Sequence, residues 1–113
     1  MKRFGQLIGV DPQKFEEYKK YHAAVWPDVL KMIKECNINN YSIYHKDSML
    51  FAYFEYTGSD FEADMAKMAA DPTTQKWWDI TMPMQKPVST RAEGEWLYIL
   101  MIFPFHGGSL IEK

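Results

Sequence analysis

An α+β fold of the ferredoxin-like type is predicted for this chain, with one antiparallel sheet and its helices on one side. Two observations carry that reading. The apolar pattern changes period along the chain in the order β-α-β-β-α-β, which is the split βαβ arrangement. Two strand-like runs, residues 41–44 and 49–56, are joined by the short connection His45-Lys46-Asp47, as in a hairpin. The chain has 113 residues, which fits a single domain over 1–113 with a C-terminal tail at about 104–113.

Each element has a local reason. Phe4, Gln6, Ile8 and Val10 alternate with Gly5, Leu7 and Gly9, giving a first strand with close backbone approach expected at its glycines. Asp11-Pro12 reads as an N-cap with proline in the first turn, and Glu16 and Glu17 follow near that positive helix end. The helix should run to about Glu35, broken where Pro27 removes a donor and disfavours the α conformation at Trp26. Residues 36–40 are a turn-rich exit. After the hairpin, Ser59 and Glu62 form a capping box for a second helix carrying Phe61, Met65, Met68 and Ala69. Asp71-Pro72 stops it, and residues 73–80 make one more short helix. Met82-Pro83 and Lys86-Pro87 mark a loop, and residues 96–103 form the last strand.

The faces of the strands predict a partner. Met49, Phe51 and Tyr53 point one way while Leu50, Ala52, Phe54 and Tyr56 point the other, and residues 96–103 alternate in the same two-sided way. Both sheet faces are therefore apolar, and a domain of this size has no second layer for the outer one. A homodimer packed sheet against sheet is the simplest solution.

Composition narrows the function. With 47% hydrophobic and 25% charged residues the chain is globular, and a net charge of -2 argues against a nucleic-acid partner. Its longest apolar run is too short to cross a bilayer, and the N-terminus lacks a targeting pattern, so a cytoplasmic protein is expected. A single cysteine, Cys36, suits a reducing compartment and reads as a small buried hydrophobe. No metal or other cofactor is expected: the histidines His22, His45 and His106 lack ligand spacing, and no Gly-rich phosphate loop occurs.

Two features remain. Tyr18, His22 and Trp26 lie one turn apart on one helix face, just before the Trp26-Pro27 break, which could open a hollow beside the imidazole. An aromatic stripe of this kind is more often core. Trp77-Trp78 are adjacent, and at 16% aromatic the chain is rich in the rings that stack on the C–H faces of sugars.

These segments together resemble a known family. Glu16-Glu17-Tyr18, His22, Val25-Trp26-Pro27-Asp28, then Asn40-Tyr41-Ser42-Ile43-Tyr44, then Trp77-Trp78 are similar to the L-rhamnose mutarotases in order and spacing over residues 3 to 100. The resemblance implies a dimeric α+β barrel that interconverts the anomers of a monosaccharide, L-rhamnose by default. It also implies His22 as proton donor, with Tyr18, Tyr41, Trp77 and Trp78 binding the sugar. The chain departs from the family in its short segment Thr81-Met82-Pro83-Met84-Gln85-Lys86, where a longer acidic or Asn-rich loop is usual, and in its tail.

The chemistry suits such an assignment. Ring opening of a hemiacetal requires one proton delivered to the ring oxygen and one removed from the anomeric hydroxyl. An imidazole with an ordinary pKa of about 6.5 does both near neutral pH. Tyr18, Asp79 or a water are candidates for the second proton carrier. L-fucose or another aldose is a variant of this reading. A haem-type or small-molecule monooxygenase of the same barrel and a non-catalytic ligand-binding module are the alternatives from other classes.

Overall fold

A computed structural model describes residues 1–92, 94–99 and 101, and the backbone of residues 105, 106, 109 and 110. Its elements run β1 (Lys2–Val10), α1 (Phe15–Ala23), α2 (Pro27–Glu35), β2 (Ile38–Lys46), β3 (Met49–Tyr56), α3 (Phe61–Ala70) and α4 (Pro72–Thr81). A 3-10 turn (Met82–Met84), β4 (Gln85–Lys86) and β5 (Leu97–Ile99) follow, and β6 (Phe105–His106) pairs with β7 (Ser109–Leu110).

The main sheet is antiparallel with strand order β2-β3-β1, and both β4 and β5 lie against the remaining edge of β1. This is the expected α+β, ferredoxin-like arrangement. Its last lane is built differently from the single strand expected over 96–103. β5 supplies residues 97–99 opposite Gly5 to Leu7, while residues 100, 102 and 103 lie outside the described residues. β4, in a stretch read as loop, fills the lane opposite Gly9 and Val10. Gly9 makes this possible: a Cβ there would sit 2.7 Å from the Lys86 carbonyl oxygen. Gly5 has no such constraint, since its Cβ would meet Ile99 at an ordinary 3.7 Å.

Helix starts shift from the expected positions for local reasons. Asp11 does not cap α1; its side chain takes the Gln13 N–H (3.0 Å) and its carbonyl the Lys14 N–H (2.9 Å), making a turn before the helix begins at Phe15. At Trp26 the backbone is extended (φ -58°, ψ 135°), and Pro27 opens α2 as the first residue. The expected break is thus a restart. Asp60, one residue after the expected Ser59, caps α3 by accepting the Ala63 N–H at 3.1 Å. Asp71 ends α3 and caps α4 through the Thr74 N–H (2.9 Å) and hydroxyl (2.8 Å).

β2 is longer than the four residues expected. Its turn is Asp47-Ser48, both at positive φ (51° and 61°) as a two-residue type I′ hairpin requires, so His45 lies in the strand, stacked 3.8 Å from Phe15. A bulge interrupts β2. Asn39 pairs with Glu55 and Ser42 with Tyr53, so Asn40 and Tyr41 share the place opposite Phe54, with Asn40 at φ 48°.

Ile8, Val10, Tyr18, Leu50 and Met84 form one core cluster and Ile38, Phe54 and Tyr56 a second, both on the helix side of the sheet. Cys36 is fully buried, its thiol 3.6 Å from the Met32 sulfur, and burial pushes that thiol above its usual range. On the opposite face Tyr44 (63% exposed), Phe51 (41%) and Ile99 (49%) stand open. Among the described residues no helix is long and apolar enough to cross a membrane.

Candidate active site

Side chains from both core clusters line a cavity of about 560 Å³ between the helices and the sheet. Its sheet side carries Gln6, Tyr41, Ile43, Phe54 and Tyr98; α1 supplies Tyr18 and His22, and α4 supplies Trp77 and Trp78. All five residues singled out in the sequence therefore line one cavity. The restart at Trp26-Pro27 leaves Val25 on its wall, beside the imidazole's helix.

His22 is held in one tautomer. Its Nδ1 lies 2.8 Å from the Tyr18 carbonyl oxygen, which can only accept, so Nδ1 carries the proton and Nε2 is left with a lone pair. The ring stacks on Tyr18 at 4.1 Å and meets Trp77 edge-on at 5.3 Å. Burial lowers the His22 pKa below 6.5, and the bond to the carbonyl partly opposes this. At neutral pH the group is a neutral acceptor, suited to take a proton first and return it second.

Tyr18 keeps its proton. Burial raises its pKa, while a hydrogen bond from the Gln85 Nε2 (3.2 Å) works the other way. Since the hydroxyl accepts that bond, its own O–H is free to donate elsewhere.

The tryptophans divide their work. Trp77 is 6% exposed and is surrounded by Tyr21, His22 and Trp26, with ring centroids at 6.0, 5.3 and 5.2 Å. Trp78 is half-buried on the cavity wall. Tyr41 reaches the cavity because of the bulge: strict alternation from Ile38 would turn it to the outer face. It is 43% exposed as a residue, yet burial pushes its phenol well above the ordinary range and the Tyr18 and Tyr98 phenols add to this.

Among the cavity residues not singled out from the sequence, Gln6, Gln85 and Tyr98 bear on the site's polar groups. Gln6 is buried on β1 and faces Tyr98 across the sheet register, and Gln85 sits on β4, where its Oε1 is buried with no hydrogen-bond partner among the described residues. A buried acceptor left this way costs on the order of 1–3 kcal/mol. No local pattern marks any of the three, because only strand register brings them here. Asp79, a candidate proton carrier, is exposed on α4 and is not among the lining residues. The side chain of His106 lies outside the described residues, within which no three His, Cys, Asp or Glu gather as a metal site.

Comparison with known proteins gives the family and the fold. A family model for L-rhamnose mutarotase matches residues 3–105. The L-rhamnose mutarotase of Oceanobacillus iheyensis is 37% identical over 98 residues, covering 80% of this chain and 91% of its own. That of Bacillus subtilis is 34% identical, covering 76% and 82%, and that of Sinorhizobium fredii 30%, covering 94% and 98%. A crystal structure of an L-rhamnose mutarotase from Formosa agariphila superposes with a TM-score of 0.75 at 18% identity, over 94% of this chain and 100% of that one. Tetracenomycin F2 cyclase from Streptomyces glaucescens, a polyketide cyclase, gives 0.70 at 13%, over 95% and 99%. At such identities the two structures speak to the fold, which hosts unrelated chemistries. The family match spans nearly the whole chain: this protein belongs to the L-rhamnose mutarotase family.

Proposed function

We propose that this chain interconverts the α and β anomers of L-rhamnose by general acid–base catalysis in the cavity between helices and sheet. The observation that carries this is His22, fixed as a neutral imidazole with a free Nε2 on a cavity-lining side chain. Nε2 takes the proton of the anomeric hydroxyl as the C1–O5 bond breaks, and the Tyr18 hydroxyl delivers a proton to the departing ring oxygen. The aldehyde then turns its other face. On reclosure the imidazolium, now the proton donor, returns its proton to the new anomeric oxygen and the phenolate recovers its own, so no co-reactant is consumed. A positioned group of this kind contributes about a hundred- to ten-thousandfold.

Trp78, with the part of Trp77 that lines the cavity, takes the apolar C–H face of the sugar, and Tyr41 meets a hydroxyl. A second copy of the chain covers the outer sheet face at Tyr44, Phe51 and Ile99, giving the dimeric barrel. The sole, buried cysteine supports a reducing, cytoplasmic setting. Saturation-transfer proton NMR tests the activity. Irradiating one anomeric signal of L-rhamnose should attenuate the other when protein is added. Absence of transfer with L-rhamnose, L-fucose and other aldoses contradicts the proposal.

A further inference from the structure

The loose end in the cavity is Gln85. Its backbone is fixed on β4 beside Val10, in a lane that Gly9 allows to lie close to β1, and the Asp11 N–H bonds the preceding Met84 carbonyl at 2.9 Å. A side chain on so short a strand is held at both ends of its register. Its amide donates from Nε2 to the Tyr18 hydroxyl at 3.2 Å, across 67 residues of sequence. Its Oε1 is buried on the wall of the same cavity with no partner among the described residues. Buried amide oxygens are normally satisfied, and an exception calls for a reason, a catalytic role among them.

We propose that Gln85 is a positioning residue for the sugar: its N–H holds the Tyr18 hydroxyl so that the phenol's own proton faces the substrate, and its Oε1 accepts a hydrogen bond from a sugar hydroxyl. This rests on the mutarotase reading above. The amide thus joins the proposed acid and the substrate through a single planar group. One partner of that group sets the direction of the transferred proton, and the other sets where the sugar ring stops. Turning the amide over would reverse the logic, making Tyr18 the donor to Gln85 and leaving an N–H for the sugar. A single substitution separates the two arrangements.

Anomeric exchange of L-rhamnose is measured against sugar concentration for wild type, Gln85→Leu and Gln85→Glu, together with melting temperatures. Gln85→Leu removes both contacts, and a tenfold rise in KM with about a tenfold fall in saturated rate is expected at a melting temperature within a few degrees of wild type. Gln85→Glu keeps an acceptor for the sugar but cannot donate, so it draws the Tyr18 proton to itself. KM should return towards wild type while the saturated rate stays low. The opposite split, a normal rate with raised KM in Gln85→Glu, overturns the assignment. A lowered melting temperature with unchanged kinetics in both variants also overturns it, and reduces Gln85 to a packing group. Failure of the wild type itself to exchange anomers overturns the mutarotase reading instead, and is told apart by that first measurement.

Discussion

The role proposed for His22 rests on contacts within its own helix. The i, i-4 carbonyl of Tyr18 fixes the imidazole tautomer, and burial keeps the ring neutral. The same two facts set the pH response. The folded pKa lies below the ordinary 6.5, so as pH falls the unfolded chain binds a proton first, and His22 costs stability progressively below pH 6.5. Exchange that uses neutral His22 should persist down through pH 6.5 and decline below it, towards the lowered pKa, in a pH–rate profile. The tryptophan pair divides at the same scale. Trp77→Ala should destabilise by about 3–5 kcal/mol, because it removes the ring that Tyr21, His22 and Trp26 pack against. Trp78→Ala should leave the melting temperature nearly unchanged and weaken sugar binding, read by tryptophan fluorescence titration. Equal melting temperatures for the two variants would contradict this division. Tyr18, His22 and the Trp pair were legible in the sequence because their spacing lies within single helices; Gln6, Gln85 and Tyr98 were not, because strand register alone gathers them.

At the scale of elements, two interruptions shape the cavity. One was plain from sequence: proline at position 27 cannot continue a helix, so α1 ends and α2 restarts. The other was hidden. The bulge at Asn40-Tyr41 depends on how β2 meets β3, and nothing within residues 38–46 reveals that two residues will oppose Phe54. It nonetheless decides which face Tyr41 takes. Asn40 carries the positive φ (48°) and bonds Glu55 Oε1 through its side chain at 2.6 Å. Asn40→Gly should keep the bulge and exchange activity. Asn40→Val should cost about 1–2 kcal/mol in a left-handed conformation and raise KM for the sugar by displacing Tyr41. Equal KM values for the two variants would show that Tyr41 reaches the sugar without help from the bulge. The helix caps were misplaced by one to a few residues for a similar reason. Asp11 and Asp60 both fit a cap by residue type, and only the path of the chain makes the first a turn and the second a cap.

Over the whole molecule, the strand order and the two-sided apolar alternation were both readable, since each follows from period and sequence order. What the alternation does is divide the sheet into a face that helices cover and a face that stands open. Helices cover one face of the sheet and enclose the cavity, while Tyr44, Phe51 and Ile99 stand exposed on the other. Sedimentation velocity should find a dimer at micromolar concentration, and Phe51→Lys, placing a charge in the middle of that face, should shift it to monomer. A wild-type monomer contradicts the sheet-to-sheet assembly.

The proposed mechanism turns on His22 as the carrier of the proton. Saturation-transfer NMR with L-rhamnose on His22→Ala, paired with a melting curve and a sugar titration, tests it most directly. Exchange should slow by about a hundredfold or more in a folded protein that still binds the sugar. Exchange at the wild-type rate in a folded His22→Ala protein would contradict it.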